Sequence, residues 1–142
     1  LRQDPVFHRS GGERKGRDGC RVPIPWGRGA PGFGFTTGAP GLPVPSFWEE
    51  LSVEVQRAGA SSFLALYRRA LELRRGLAGS GFAWRESPDG SLAFERGDVV
   101  CVVNLEAKEV PLPDGEVLLA SGPGLAGPLP PNTAAWVRAS SI

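Results

Sequence analysis

Methionine is absent from this sequence of 142 residues, which contains only two cysteines and one histidine. Cys20 and Cys101 alone indicate neither a disulfide framework nor a metal site, and His8 alone excludes a multi-histidine site. We therefore expect no cofactor. A net charge of +1 gives no reason to expect a nucleic-acid or membrane partner. No apolar run approaches the roughly 20 residues that cross a bilayer. Because the two cysteines indicate no disulfide framework, we expect a reduced protein of the cytoplasm.

Residues 1–45 contain 10 glycines and 7 prolines, and they show neither helical nor strand periodicity. The stretch also contains four aromatic residues, which argues against disorder because disordered segments are poor in aromatics. These are Phe7, Trp26, Phe33 and Phe35. Such a segment is typical of a functional loop that packs on other structure. Because the chain also begins with Leu1, we expect it to be a piece of a longer protein.

Helical spacing appears after this loop. Ser61 or Ser62 can cap a helix of residues 61–75, with its apolar positions at Phe63, Leu66, Tyr67, Ala70 and Leu71. An apolar stripe on a lone helix needs a partner surface. A second pattern predicts a short helix over residues 47–57, capped by Ser46.

Beyond residue 76 the apolar period changes to 2, the spacing of a β-strand. Turn signals at residues 87–90 and 96–98 separate the strand patterns of residues 82–84, 92–94 and 99–105, and shorter strand patterns follow at residues 110–112, 116–121 and 134–138. Short strands at this spacing predict a small antiparallel sandwich or sheet. Residues 99–105 are rich in β-branched side chains, as expected for a strand that is covered on both faces. Trp84 and Phe94 fall at alternating positions typical of a core.

A compact motif lies inside the first loop. Residues 17–26 read Arg-Asp-x-x-Arg-x-Pro-x-x-Trp, and residues 34–38 read Gly-Phe-Thr-Thr-Gly. With the helix pattern of residues 67–75 and the strand pattern of 99–105, this motif resembles the C-terminal part of α-glucosidases of glycoside hydrolase family 13. The oligo-1,6-glucosidase and sucrose-isomerase-like branch is the most similar. The resemblance covers nearly the whole chain, although Val22 and Ile24 depart from the family's usual threonine and methionine.

The resemblance implies an α+β fragment, in which the last loop and helix of a (β/α)8 barrel precede a small antiparallel β-sandwich domain. Residues 1–76 would be the C-terminal end of the catalytic barrel, with an active-site loop at 1–45 and helix 8 at about 61–75. Residues 77–142 would form the C-terminal β-domain. The missing N-terminal barrel would be the structural partner of these parts.

The resemblance also implies a retaining α-glucosidase that acts on α-glucosides or oligosaccharides through a glycosyl-enzyme intermediate. In this family an arginine of this loop helps to fix hydroxyl groups of the sugar at the non-reducing end. Arg17 and Arg21 are therefore the candidate substrate-binding residues, and either could instead pair with an acidic neighbour. A guanidinium suits the task because its planar fork reaches two oxygens and stays charged. Asp18 and Trp26 are candidate loop-shaping residues.

The catalytic carboxyl groups are expected outside this sequence. Retaining glycosidases use two carboxyl groups about 5–5.5 Å apart, and the family places them after earlier barrel strands. Neither Asp4 nor Asp18 matches such a position, so no residue is assigned a catalytic or metal-binding role. We expect the isolated chain to be inactive.

Two alternatives remain open. The first is a non-catalytic β-sandwich module for carbohydrate binding or interaction, which would expose a flat row of aromatic rings. The core-like positions of Trp84 and Phe94 count against it. The second is a family 13 relative such as a sucrose isomerase or trehalose synthase, a choice that the missing upstream loops would decide.

Overall fold

The structure is a computed structural model that describes residues 2–29 and 31–140. It divides into two compact units, Leu1–Ala65 and Leu66–Ile142. This division falls inside the longest helix, whereas the family resemblance predicts a boundary after residue 76. The boundary between barrel and β-domain therefore stays a prediction.

Short helices and turns build the first unit. Helix α1 spans Pro5–Arg9, helix α2 spans Val53–Ala58, and 3₁₀ turns lie at Asp18–Cys20, Pro31–Gly34 and Ser46–Leu51. The prediction that residues 1–45 lack any regular element is wrong at α1. Asp4 caps this helix and Pro5 occupies its first position, two features that favour a helix start. Five residues are too few to show helical periodicity, so the pattern search passes over them.

The predicted helix over residues 47–57 is interrupted. Ser52 has an extended backbone (φ −62°, ψ 153°), which ends the 3₁₀ turn and starts α2. The cap of α2 is Ser52 and not Ser46, because the Ser52 Oγ accepts a hydrogen bond from the amide of Val55 at 3.4 Å. The Ser52 side chain is fully buried.

Helix α3 spans Phe63–Gly76 and confirms the predicted helix. Ser62 caps it: its Oγ accepts from the amide of Ala65 at 3.1 Å and donates to the carbonyl of Gln56 at 2.6 Å. Part of the apolar stripe stays uncovered, with Phe63 75% and Tyr67 66% exposed. Within the described residues this apolar face therefore stays partly open, and the prediction that it needs a partner surface stays a prediction.

The second unit contains one antiparallel sheet of five strands, which are β1 (Phe82–Arg85), β2 (Ser91–Arg96), β3 (Val99–Asn104), β4 (Gly115–Ala120) and β5 (Thr133–Ala139). Their order in the sheet is β1-β2-β3-β5-β4. The two predicted hairpin turns are confirmed, since Gly90 and Gly97 adopt positive φ angles of 73° and 62°. The short strand predicted at residues 110–112 is a single bridge between Val110 and Leu129.

The apolar core lies on one face of this sheet. Its buried members are Ala93, Val100, Val102, Val110, Leu129, Ala135 and Val137. The antiparallel β-domain is therefore confirmed, and β3 is buried along most of its length, as its composition predicts. The Val110–Leu129 bridge and its flanking loops cover this face of the sheet. In a β-sandwich, a second full sheet would lie there.

The opposite face of the sheet is more open than the sequence suggests. Trp84 pairs with Phe94 across β1 and β2, and the same register row continues through Cys101 and Trp136. Trp84 is 67% exposed, so the prediction that it lies in a core is wrong. Alternation assigns a residue to a face of the sheet, but it does not determine whether that face is covered. None of the helices in the described residues has the length and apolar character needed to cross a membrane.

Candidate functional site

A buried carboxylate organises the motif loop. The side chain of Asp4 is 3% exposed. Its Oδ1 accepts from the amide of Val6 at 2.8 Å, and its Oδ2 accepts from the amide of Arg17 at 2.8 Å and from Arg21 Nη2 at 3.1 Å. The Arg17 and Val6 amide bonds, assisted by the charges of Arg21 and Arg17, hold the pKa of Asp4 below its usual value of 3.8, although burial opposes them. Asp4 is therefore an ionised acceptor shared by three donors at neutral pH.

Asp18 closes the loop from the other side. Its Oδ2 accepts from the backbone amides of Gln3 at 2.7 Å and Asp4 at 2.9 Å. Its Oδ1 lies 4.0 Å from Arg21 Nη1. The two aspartates thus bind each other's chain segments, and the motif is tied to the segment that precedes α1.

Gly16 allows this close approach. Its φ of 69° lies in the left-handed region, which glycine adopts without strain. A Cβ atom at this position would lie 2.5 Å from the Asp4 Cγ. The loop backbone therefore packs directly on the carboxyl group, with no room for a side chain.

The two candidate arginines occupy different environments. The Arg21 guanidinium pairs with Asp4 at 3.1 Å, and its side chain is 45% exposed. The Arg17 main chain is bound to Asp4, but its exposed guanidinium makes no hydrogen bond or ion pair within residues 2–29 and 31–140. Arg17 is thus a cation on a fixed backbone whose donors remain available.

Trp26 is anchored through its backbone. Its amide donates to the carbonyl of Phe33 at 2.8 Å, and its carbonyl accepts from the amide of Glu54 at 3.0 Å. Its side chain is 50% exposed. These bonds connect the Gly-Phe-Thr-Thr-Gly side of the loop to the start of α2, and they leave the indole ring at the surface.

Comparisons with known proteins agree on the family. Residues 58–136 match a family described as a domain of unknown function, DUF3459. A "Probable alpha-glucosidase" of Rhizobium meliloti (strain 1021) is 33% identical over 131 residues, which cover 84% of this chain. The chain belongs to glycoside hydrolase family 13. It spans 24% of the length of that relative, so it corresponds to about a quarter of such an enzyme.

Solved family 13 structures share the fold. The α-glucosyl transfer enzyme XgtA matches 94% of this chain with a TM-score of 0.62 and 31% identity, and the match covers 27% of XgtA. The isomaltulose synthase PalI from Klebsiella sp. LX3 matches 94% of the chain with a TM-score of 0.70, over 29% of its own length. At 21% identity, the second match supports the fold alone.

Two members of this family 13 loop were missed by sequence reasoning. From the sequence alone, Asp4 is considered only as a carboxylate that matches no catalytic position, and Gly16 is given no individual role. The Asp-Pro pair does signal a helix cap. Bonds from Asp4 to residues 13 and 17 positions away carry no sequence signal.

The second unit contains a cluster of three aromatic side chains. The ring centroids of Phe82, Trp84 and Phe94 lie 5.3 to 5.9 Å apart. Trp84 meets the other two rings edge-on, at interplanar angles of 84° and 82°. The cluster therefore lacks the flat row of rings on which a sugar could stack. In the described part of the chain, no group of His, Cys, Asp and Glu residues could hold a metal ion.

Proposed function

We propose that this chain is the C-terminal part of a retaining α-glucosidase, with its motif loop facing the glucosyl unit of the substrate. The 33% identity to a "Probable alpha-glucosidase" supports this assignment. The nucleophile and the general acid would come from the upstream barrel, because Asp4 and Asp18 are both consumed by bonds within the loop. A cytoplasmic location belongs to the same proposal, and the free thiols of Cys20 and Cys101 are compatible with it.

The free guanidinium of Arg17 is the observation that carries the proposal. Arg17 combines a backbone held by the Asp4 carboxylate with side-chain donors that no described residue uses. In this proposal Arg17 binds two hydroxyl oxygens of the terminal glucosyl unit with its parallel N–H donors. Arg21 has the other role, since its ion pair with Asp4 compensates the buried charge. The two arginines of the motif would thus divide binding and loop support between them.

Arginine substitutions in the full-length enzyme test this assignment. Loss of a charged hydrogen bond costs roughly 1.5–3 kcal/mol, so Arg17→Ala should lower kcat/KM for a chromogenic α-glucoside about 10- to 150-fold. The thermal midpoint should change little. The control is Leu129→Ala, a truncation of a fully buried core side chain, which should cost roughly 2–5 kcal/mol of stability without a specific binding defect. Parental kcat/KM in the Arg17 variant would refute the sugar contact.

The isolated chain provides a second test. Purified residues 1–142 should release no glucose from the same chromogenic substrate, because the proposed mechanism needs the upstream carboxylates. The intact enzyme, assayed at equal concentration, is the positive control. Turnover above the buffer blank that survives repurification would show that this chain contains catalytic groups of its own.

Transfer of the glucosyl unit is a second candidate activity. The 31% identity to XgtA, whose structure is described as that of an α-glucosyl transfer enzyme, favours it specifically. Hydrolysis and transfer share the glycosyl-enzyme intermediate and differ in the acceptor. Product analysis by NMR, with and without added glucose or another hydroxyl acceptor, separates them. Free glucose as the only product at high acceptor concentration would exclude transfer. With sucrose as the substrate, formation of a sucrose isomer would indicate an isomerase.

A further inference from the structure

In the first unit, the loop that contains the motif is organised around the charged side chain of Asp4. All buried hydrophobic side chains of the described residues lie in the sheet unit, whereas the buried side chains of the first unit are those of Asp4 and Ser52. An ionised group with three donors accounts for much of the order near the motif. The position of the loop therefore depends on one carboxylate more than on apolar packing.

This carboxylate controls the backbone on both sides of Arg17. The residue before it, Gly16, packs on the Asp4 carboxyl group, and the Arg17 amide donates to Asp4 Oδ2. The residue after it, Asp18, accepts hydrogen bonds from the amides of Gln3 and Asp4. Three consecutive residues thus contact the segment of Asp4, and the middle one has the free guanidinium.

We propose that Asp4 is a positioning residue of this glycosidase, which acts on substrate through Arg17 by holding residues 16–18 in the sugar-binding conformation. The inference rests on the proposed function, because Arg17 must bind sugar for its position to matter. A carboxylate is required at this point. Two oxygens face donors on both sides, so an amide group would direct an NH₂ against a backbone amide in either of its orientations.

A double-mutant cycle in the full-length enzyme tests the coupling. We expect Asp4→Asn to lower kcat/KM for the chromogenic α-glucoside by about 10- to 100-fold, since displacement of a binding group by about 1 Å can cost 100-fold. The loss should be nearly absent when Arg17→Ala is already present, because Asp4 would have no binding group left to position. Glu13→Gln is the matched control, because it neutralises an exposed acid of the same loop and should keep parental kcat/KM.

The four variants distinguish the possible failures. Equal losses from Asp4→Asn in the parental and Arg17→Ala backgrounds would mean that Asp4 supports folding only, which overturns the positioning role. Parental activity of Asp4→Asn, with a large effect of Arg17→Ala, also overturns it but leaves the proposed function intact. Parental activity of Arg17→Ala refutes the sugar contact itself, and the positioning role with it.

A glycine pair gives an independent readout of the same contact. Gly16→Ala would place a methyl group against the Asp4 carboxyl group and should reproduce the coupled loss of kcat/KM. Gly11→Ala makes the same chemical change in the same loop at a similar φ of 62°, where nothing lies within 4 Å, so it shares the backbone strain without the Asp4 contact and should be close to parental. Equal behaviour of the two variants would contradict the proposal.

Discussion

Replacement of Asn104 by alanine should destabilise the sheet unit, since this fully buried side chain joins three backbone segments. Its Nδ2 donates to the carbonyls of Lys108 at 2.8 Å and Leu129 at 2.9 Å, and its Oδ1 accepts from the amide of Glu106 at 2.9 Å. The Leu129 carbonyl also accepts from the amide of Val110, so alanine would not leave it without a partner.

The magnitude follows from these three bonds. A typical intramolecular hydrogen bond contributes about 0.5–1.5 kcal/mol net, and water can reach the partners that lie near the surface. We therefore expect Asn104→Ala to lower the free energy of unfolding by about 2 kcal/mol, at the lower end of the sum. For a unit of this size, that corresponds to a fall in Tm of roughly 8–16 °C.

Urea denaturation followed by far-UV circular dichroism measures this loss. The control is Glu109→Ala, an exposed residue of the same segment, which should stay within about 0.5 kcal/mol of the parent. Equal unfolding free energies for the two variants would refute the role of Asn104 as a connector of loops.

Asn104→Asp tests the direction of the hydrogen bonds that the Asn104 side chain makes. The new carboxylate would replace a donor by an acceptor that faces two carbonyl oxygens, so its folded-state pKa would rise above the unfolded value. A group with a raised pKa favours the folded state at low pH, and that contribution is lost as pH rises through the folded-state pKa. The variant should therefore be less stable at pH 7 than near pH 4, relative to the parent. A loss independent of pH would contradict the assigned hydrogen bonds.

Three further predictions concern reactivity and local order. Burial raises the pKa of Cys101 to about 11, so at pH 8 a thiol reagent should modify the exposed Cys20 and leave Cys101 intact until denaturant is added, as mass spectrometry would show. Limited proteolysis should cleave residues 1–45 before the sheet, because the described buried apolar residues lie in the second unit; early cleavage within β3 would contradict this. Hydrogen bonds to Asp4 depress its pKa, so its stabilisation is present above 3.8 and is lost as pH falls through the lower folded-state value. Pepsin cleavage of residues 1–45 should accelerate in that range, more than in an Asp4→Asn variant.

Local sequence alone predicted the regular elements of the second unit. Helix α3 was recognised from its 3.6-residue apolar period, and the five strands were recognised from alternation and turn residues such as Gly90 and Gly97. These signals lie within a few residues of the structure that they specify. The bridge of Val110 is the exception, since two paired residues are too few to form a periodic pattern.

The motif could be read from the sequence, but the arrangement of its residues could not. The resemblance to family 13 indicates Arg17, Arg21, Asp18 and Trp26 without deciding which arginine is engaged in an ion pair. Asp4 decides it, since it takes the Arg21 guanidinium and the Arg17 amide across 13 to 17 positions of chain. Whether Arg17 binds sugar stays a prediction.

The exposure of Trp84 also depended on tertiary structure. Its alternation with Phe82 and its pairing with Phe94 are properties of the strands, and they place all three rings on one face. The sequence therefore determined helix α3, the five strands, their turns and the motif, because each depends on neighbouring residues. Tertiary structure decided the buried carboxylate, the engaged arginine and the covered face of the sheet, because each depends on residues that are distant in sequence and brought together only by folding.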